Sequence, residues 1–453
     1  MKRSSLPAAI RSCYVPIMDQ SGTKAEDSAN LRWLFVDLNA FFASVEQQMN
    51  PAWRGKPVIV RPAMSEYTGA IAASYESKAW GVHTGMRVSE ARKLCPDLIV
   101  AEARPDLYVK IHQQIMAEID RHVPVWKVGS IDECSCELLG PERLEANAVA
   151  LARRIQAGIL QNVGDCLRSS VGLAPSRFLA KTACGMQKPA GLTVLRANEL
   201  PGLLLDLPLS KYPGIGSRMQ IRLQAAGVTD TAGLWNMSAK QARAVWNSIE
   251  GERIWRGLHG LDSEPTPEKP PASISHSHVL AQAMRTPDKA RAVARRLVVK
   301  CGARLRRMGL TGASLTLHLD MGPKATPRSG RRGWETAAMS CPIAPTQDTF
   351  ALLAALDSLW RKVEPELEAG RLSYVGVGVH GLKSRDDFET DLFAAGPDQD
   401  GDAPSLRLSQ ALDALNRRYG KDTVSIGPKA GLPDYIGAKI AFTRIPEAED
   451  FWE

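Results

Sequence analysis

KVGSIDECSCELL, residues 127–139, is a run of small, β-branched and apolar residues interrupted by two adjacent carboxylates, Asp132 and Glu133. The run reads as a buried strand. An unpaired carboxylate in such a setting costs several kcal/mol, so an adjacent pair there must be balanced by a cation or a hydrogen-bond network. A metal ion is the first candidate. A solvated hairpin turn, which acidic residues often form, is the other reading, and the stretch alone leaves both open.

Working outward, LRWLFVDLN (31–39) reads as a buried strand ending in a third carboxylate, Asp37, followed by a helical stretch AFFASVEQQMN. PVIVRP (57–62) and GAIAAS (69–74) read as further short strands, and YESKAWG as a helix. LYVKIHQQIMAEIDRHV and LEANAVALARRIQAGILQNV are helices flanking the strand that holds Asp132 and Glu133, and SSVGLAP (169–175) is a strand leading into the helix SRFLAKTACGMQK. Helices and strands alternate while hairpins are antiparallel, so the predicted class is α+β, a sheet domain with helices on one face. Three acids at strand ends are its chemical feature.

From about residue 198 the pattern turns helical, and Pro-Gly-Ile-Gly (213–216) between two helices resembles a helix-hairpin-helix element. Glycines at Gly214 and Gly216 would let backbone N–H groups approach a DNA phosphate at a helix N-terminus; a plain connecting turn is the alternative. DSEPTPEKPPAS (262–273) is a Pro-rich linker. Beyond it, residues 281–310 hold nine Lys and Arg and one acid, a net +8 that equals the charge of the whole chain. Helical spacing of Val293, Leu297, Cys301, Leu305 and Met308 leaves Arg295, Arg304 and Arg307 to face outward. With the strand ASLTLHLDM (313–321), a basic loop containing Arg331 and Arg332, and the strand YVGVGVHGL (374–382), this predicts a separate small α/β domain aimed at a phosphate backbone.

The 453-residue chain suggests two to four domains, and 57 Lys+Arg against 49 Asp+Glu favour a polyanionic partner. Eight cysteines without CxxC or Cys/His ligand spacing point to reduced thiols, and no apolar run or signal-like N-terminus is evident, so a cytoplasmic protein without a membrane span is expected. Residues 1–30 are expected to be a loose tail. Residues 386–402 carry seven acids and no base, a composition of disorder, around one apolar pair, Leu392 and Phe393.

Together these motifs resemble the Y-family translesion DNA polymerases, in particular the bacterial polymerase IV and polymerase V catalytic subunits. The resemblance spans about 31–382 and rests on VDLNAFFASVE (36–46), NPAWRGKPVIV (50–60), AASYESKAWGVHTGM (72–86), SIDE (130–133), VGLAPSRFLAKTACGMQKPAG (171–191) and PGIG (213–216), all in family order. It implies a right-hand polymerase: palm (31–40 and 106–197), fingers (41–105), helical thumb (198–262), linker (263–276), little finger (277–385) and a C-terminal extension (386–453).

It further implies that Asp37, Asp132, Glu133 and the Leu38 backbone carbonyl hold two Mg²⁺ ions, with Mn²⁺ able to substitute, and that substrates are a dNTP and primer-template DNA. Phe42 falls at the steric-gate position with Phe41 beside it, and Tyr75, Lys78 and Lys188 fall at triphosphate-contacting positions. The 389–393 stretch resembles a sliding-clamp-binding peptide, with Glu389 where Gln is usual, and a monomer is expected. Three positions depart from many relatives: Lys78 replaces Arg, Ala72 replaces Thr, and Asn39 stands where a second Asp is common. A non-catalytic DNA-binding adaptor of the same family is the alternative, and a helix-hairpin-helix nuclease or glycosylase is the rival from another class; retention of all three acids argues for the polymerase.

Overall fold

The computed structural model describes residues 31–62, 66, 68–261, 271–322, 335–367, 371–384, 404–420, 423–427 and 445. The expected N-terminal tail, most of the Pro-rich linker, Arg331 and Arg332, and the 389–393 motif lie outside the described residues.

The chain begins with β1 (Trp33–Leu38) and α1 (Phe41–Met49). A small unit follows, made of β2 (Val58–Arg61), β3 (Ala72–Ala73), α2 (Tyr75–Ala79), α3 (Val88–Leu94) and β4 (Ile99–Glu102), with its own core of Ile59, Ala73, Val82, Val88 and Leu98. Then come α4 (Pro105–Asp120), β5 (Val125–Ser130), β6 (Glu133–Glu137), α5 (Glu145–Gly158), β7 (Ser169–Ala174), α6 (Arg177–Met186) and β8 (Leu192–Val194). The larger sheet runs β5-β6-β1-β7-β8, antiparallel except for the β7–β8 pair. The two acid-bearing strands are therefore direct neighbours.

Both faces of this sheet are covered, which corrects the expectation of helices on one face. Leu34, Val36, Cys134, Cys136, Val171 and Leu173 pack with Ile115, Ile119, Leu151 and Ile155 of α4 and α5. Trp33, Phe35 and Ala174 pack on the opposite side with Leu179, Ala180 and Ala183 of α6. The reason is that β1 and β7 are apolar on both sides, so neither side can be left to water. Helix α6 lies unusually close: a Cβ at Gly172 would sit 2.0 Å from the Ala180 carbonyl oxygen and 2.4 Å from the Cys184 nitrogen.

Helices α7 (Ser217–Ala225), α8 (Thr231–Asn236), α9 (Ala239–Trp246) and α10 (Ile249–Leu258) continue the α6 side of that core through Leu223, Leu234, Trp246 and Leu258. The Ser176 hydroxyl donates to the Gly257 carbonyl at 2.5 Å, tying α10 to the start of α6. Only short 3₁₀ turns, the last of them Leu209–Lys211, precede the Pro-Gly-Ile-Gly element, where a helix was expected.

The last domain holds β9 (Ser273–Val279), α11 (Pro287–Arg307), β10 (Leu310–Met321), β11 (Glu335–Thr346), α12 (Thr349–Val363), β12 (Leu372–His380), β13 (Lys383–Ser384) and α13 (Pro404–Tyr419). Its main sheet runs β11-β10-β12-β9. This sheet starts at Ser273, inside the expected linker, because Ile274 joins the core with Leu317, Val377 and the inward faces of α11 and α12. Strand β11 was not foreseen, and α13 falls in the C-terminal extension, where helical stretches were legible but no role for them was. Helix α13 caps the helix layer: Arg306 donates to both carboxylate oxygens of Asp413, at 2.6 and 2.9 Å, and the Ser409 hydroxyl donates to Asp348 at 2.9 Å. The other face of the sheet displays Ser314, Thr316 and His318 across from His380, Gly378 and Gly376, with Ser273, Ser275 and Ser277 beyond them. Among the described residues no helix is long and apolar enough to cross a membrane.

The contact between α6 and β7 carries a test. Gly172→Ala must force helix and strand apart and is expected to lower stability by about 2 kcal/mol or more. Gly185→Ala, on the same helix with nothing within 4 Å of the added carbon, should instead stabilise by about 0.5–1 kcal/mol. Thermal unfolding of the two variants beside the wild type reads both, and equal midpoints for the pair would contradict the packing described.

Candidate active site

The antiparallel register of β1 on β6 sets Asp37 opposite Glu133. The Leu38 N–H donates to the Asp132 carbonyl at 2.7 Å, drawing the turn between β5 and β6 onto the end of β1. Asp132 therefore does lie in a hairpin turn, yet the turn is folded against a third acid rather than out into water. The turn of the second reading is therefore present, without the solvation that reading gave it.

Each carboxylate has a partner. Lys188 Nζ is 2.5 Å from Asp37 Oδ1, Lys181 Nζ is 2.6 Å from Glu133 Oε1, and the Ser130 hydroxyl donates to Asp132 Oδ1 at 2.5 Å. Burial raises the Asp37 pKa, and the Asp132 and Glu133 charges push the same way while Lys188 opposes them. Burial disfavours the Lys188 ammonium, but the Asp37 charge and hydrogen bond outweigh it, so its pKa stands above the ordinary lysine value. The site thus holds more negative charge than it can comfortably bury, and two lysines offset it.

Three carboxylates are hard oxygen donors of the kind that hold Mg²⁺-class ions, and their mutual repulsion is what a divalent ion relieves, so the donor set fits such a metal. Among the described residues no three His, Cys, Asp or Glu side chains are gathered into a ready-made metal cage; Asp37 and Glu133 are engaged by lysines instead.

Tyr75 and Lys78 approach the same point from α2, whose first turn is capped by the Ser74 hydroxyl accepting from the Ser77 N–H. The Lys78 ammonium lies 4.2 Å from the centre of the Tyr75 ring. Desolvation and the Lys188 charge lower the Lys78 pKa, with Asp37 opposing, and burial raises that of Tyr75, with Lys188 opposing. Two cations and a phenol so placed form a grip for an anion bearing several oxygens. Ala72 is buried in β3 and offers that grip no polar atom.

Phe41 and Phe42 open α1, and both are buried. Both belong to the core cluster of the sheet domain. Phe42, 6% exposed, stacks on Tyr108 of α4 with ring centres 4.5 Å apart and planes at 23°. Behind it stands a network the sequence reading missed. Glu46, 1% exposed, accepts from the Tyr108 hydroxyl at 2.8 Å and from Arg104 at 3.0 and 2.5 Å. Lys181 was missed too, although it lies inside a motif that had been singled out, because nothing local marks which lysine of a helix faces an acid 48 residues away.

The expected nucleic-acid contacts divide. Gly214 adopts a left-handed φ of 81° and Gly216 caps α7, so the glycines sit at a helix N-terminus as anticipated, while the helix expected before them is a 3₁₀ turn. Arg295 does not face outward: its guanidinium donates to both oxygens of Asp357 on α12, at 2.9 and 2.7 Å, with Arg291 on the same carboxylate at 3.1 Å. The cause is position, since Arg295 borders the apolar stripe of α11 and α12 supplies a carboxylate within reach. Arg304 and Arg307 are half-buried on the same helix.

Residues 36–185 match the model of the impB/mucB/samB family, and residues 271–392 match its C-terminal domain. The chain is 32% identical to DNA polymerase IV of Moorella thermoacetica over 402 residues, covering 88% of this chain and 96% of that one. It is 30% identical to DNA polymerase IV of Alkalilimnicola ehrlichii over 350 residues, covering 77% and 94%. A solved Y-family DNA polymerase chimera, Dbh-Dpo4(243-245)-Dbh, shares the fold with a TM-score of 0.65 at 22% identity, over 78% of this chain and 99% of that one. With its acid-bearing strands paired as they are and both family models matched in order, the chain belongs to the Y family of translesion DNA polymerases, enzymes that extend DNA on a DNA template.

Proposed function

We propose that this polymerase transfers a deoxynucleotide from a dNTP to a primer 3′-OH through a two-metal site formed by Asp37, Asp132, Glu133 and the Leu38 carbonyl, with Mg²⁺ as the ion and Mn²⁺ as a substitute. The observation that carries the reading is the pairing of Asp37 with Glu133 on neighbouring strands, with Asp132 in the adjoining turn, near Lys78, Tyr75 and Lys188. Bound metal would neutralise triphosphate charge and activate the attacking oxygen, the two demands of phosphoryl transfer.

The chain's own residues do the rest. Lys188 balances Asp37 in the absence of substrate and exchanges that carboxylate for phosphate oxygens when the nucleotide enters. Lys78 adds a second positive charge from the fingers as a point charge, where an arginine would offer a bidentate fork. Phe42, locked by the Tyr108 stack, stands where the sugar lies and excludes a ribose 2′-OH. Primer-template DNA lies along the Gly214–Gly216 turn and the basic last domain, with Arg304, Arg307, Arg331 and Arg332 contributing charge. The domain division into palm, fingers, thumb and little finger, monomeric action in the cytoplasm, and recruitment to a sliding clamp through Leu392 and Phe393 complete the proposal.

A primer-extension assay with dNTPs and Mg²⁺ tests it: the wild type lengthens a primer, whereas a DNA-binding adaptor would bind the duplex and leave it unchanged. Asp132→Ala is expected to abolish extension while primer-template affinity stays within about twofold, because the acid serves the chemistry and not the phosphate-backbone contacts. Wild-type extension by that variant would refute the site. For Phe42→Ala, ribonucleotide incorporation relative to deoxynucleotide should rise at least tenfold, equivalent to about 1.4 kcal/mol in the transition state. An unchanged ratio would place sugar discrimination elsewhere.

A further inference from the structure

Asn39 stands two residues beyond Asp37 and is 2% exposed. Its main chain is fixed on both sides, the N–H donating to the Arg168 carbonyl at 2.8 Å and the carbonyl accepting from the Ser44 hydroxyl at 2.8 Å. The side chain is committed as well. The Ser170 hydroxyl lies 3.0 Å from Nδ2 and 3.2 Å from Oδ1, and Oδ1 accepts the Ala190 N–H at 2.7 Å, a contact across 151 residues.

That last bond ends on an unusual turn. Ala190 has a φ of 56°, the left-handed region that an L side chain occupies only when its surroundings compel it. Gly191 leaves no slack beside it, since a Cβ there would sit 2.1 Å from the Gln187 carbonyl oxygen. The turn also begins with Lys188, whose ammonium meets Asp37. Asn39 therefore grips the backbone two residues from the lysine that faces the acid two residues from Asn39.

We propose that Asn39 is a positioning residue for nucleotide binding: through the Ala190 N–H it fixes the 188–190 turn so that the Lys188 ammonium is held ready for the triphosphate. This rests on the polymerase reading above and adds a residue to it. The role needs an acceptor oxygen and does not need the amide's donor, because Ser170 can supply the proton in their mutual hydrogen bond. An aspartate would keep the grip, while an alanine would lose it and leave the turn's strain unopposed.

The test compares Asn39→Ala and Asn39→Asp with the wild type in steady-state primer extension. It also measures dNTP affinity for a complex carrying a dideoxy-terminated primer, which reports binding without turnover. Asn39→Ala should raise KM and the dNTP Kd about tenfold, with kcat and primer-template affinity within about threefold of wild type. Asn39→Asp should return both nucleotide parameters to within about threefold. A purely structural role would instead lower the thermal midpoint and kcat without this split. If Asn39→Ala does not fold, Ser170→Ala, which removes the hydroxyl that orients the amide, should still raise the dNTP Kd by about threefold. Unchanged dNTP affinity in the folded variant, or an Asn39→Asp enzyme as impaired as Asn39→Ala, overturns this role alone; a wild type that does not extend primers overturns the polymerase reading and this role with it.

Discussion

The ion pair between Asp37 and Lys188, 2.5 Å apart, is the contact on which the rest of the active site depends. A sheet that ends in three carboxylates on adjacent strands is electrostatically unfavourable until something positive sits among them. Here the chain carries its own counter-charges, Lys188 for Asp37 and Lys181 for Glu133. Both come from α6 and the turn after it. The same cations suit the substrate, so the group that balances the resting site is also one that would greet a triphosphate.

Delivery of those lysines explains features of the fold remote from the chemistry. Helix α6 must press closely on β7, which is why Gly172 has no room for a side chain. The turn after α6 must return to β8, and it is held by Asn39 and by Gln156, whose amide donates to the Ser169 and Gly191 carbonyls at 2.8 and 3.2 Å. On the opposite side of the acids, Glu46, Arg104 and Tyr108 brace the Phe42 ring from behind. The three acids, the two lysines and the Phe42 ring, proposed to face metal, phosphate and sugar, thus rest on separate supports that meet at the end of β1. The last domain contributes differently: α13 caps its helix layer and draws Arg306 into a buried pair, leaving the sheet face opposite those helices open.

Local patterns in the sequence made the strand–acid–helix order and Asp37, Asp132 and Glu133 visible, whereas Phe42, Tyr75, Lys78 and Lys188 stood out only through the resemblance of whole motifs to a family. What stayed hidden depends on distance along the chain. No local signal tells that Lys181 reaches Glu133, that Tyr108 backs Phe42, or that Asn39 holds Ala190. Helical spacing placed Arg295 on an exposed face, but it could not anticipate Asp357 on a neighbouring helix. Strand β11 does alternate, with Ala337, Met339, Cys341 and Ile343 on its packed side, but its small residues and two prolines disguised it, and the 404–453 segment showed helical stretches without a derivable role. Asn39 looked like a weakened acid; in place it is a neutral grip whose value lies in its acceptor oxygen.

In the proposed mechanism Lys188 serves Asp37 in the free enzyme and phosphate in the working one. The most direct measurement is a structure of the enzyme with primer-template, a divalent ion and a non-hydrolysable dNTP, reading the distance between Lys188 Nζ and Asp37 Oδ1. This separation, 2.5 Å here, is expected to open beyond hydrogen-bonding reach as the ammonium turns to the triphosphate. A bound nucleotide with the Asp37–Lys188 pair still closed would contradict it.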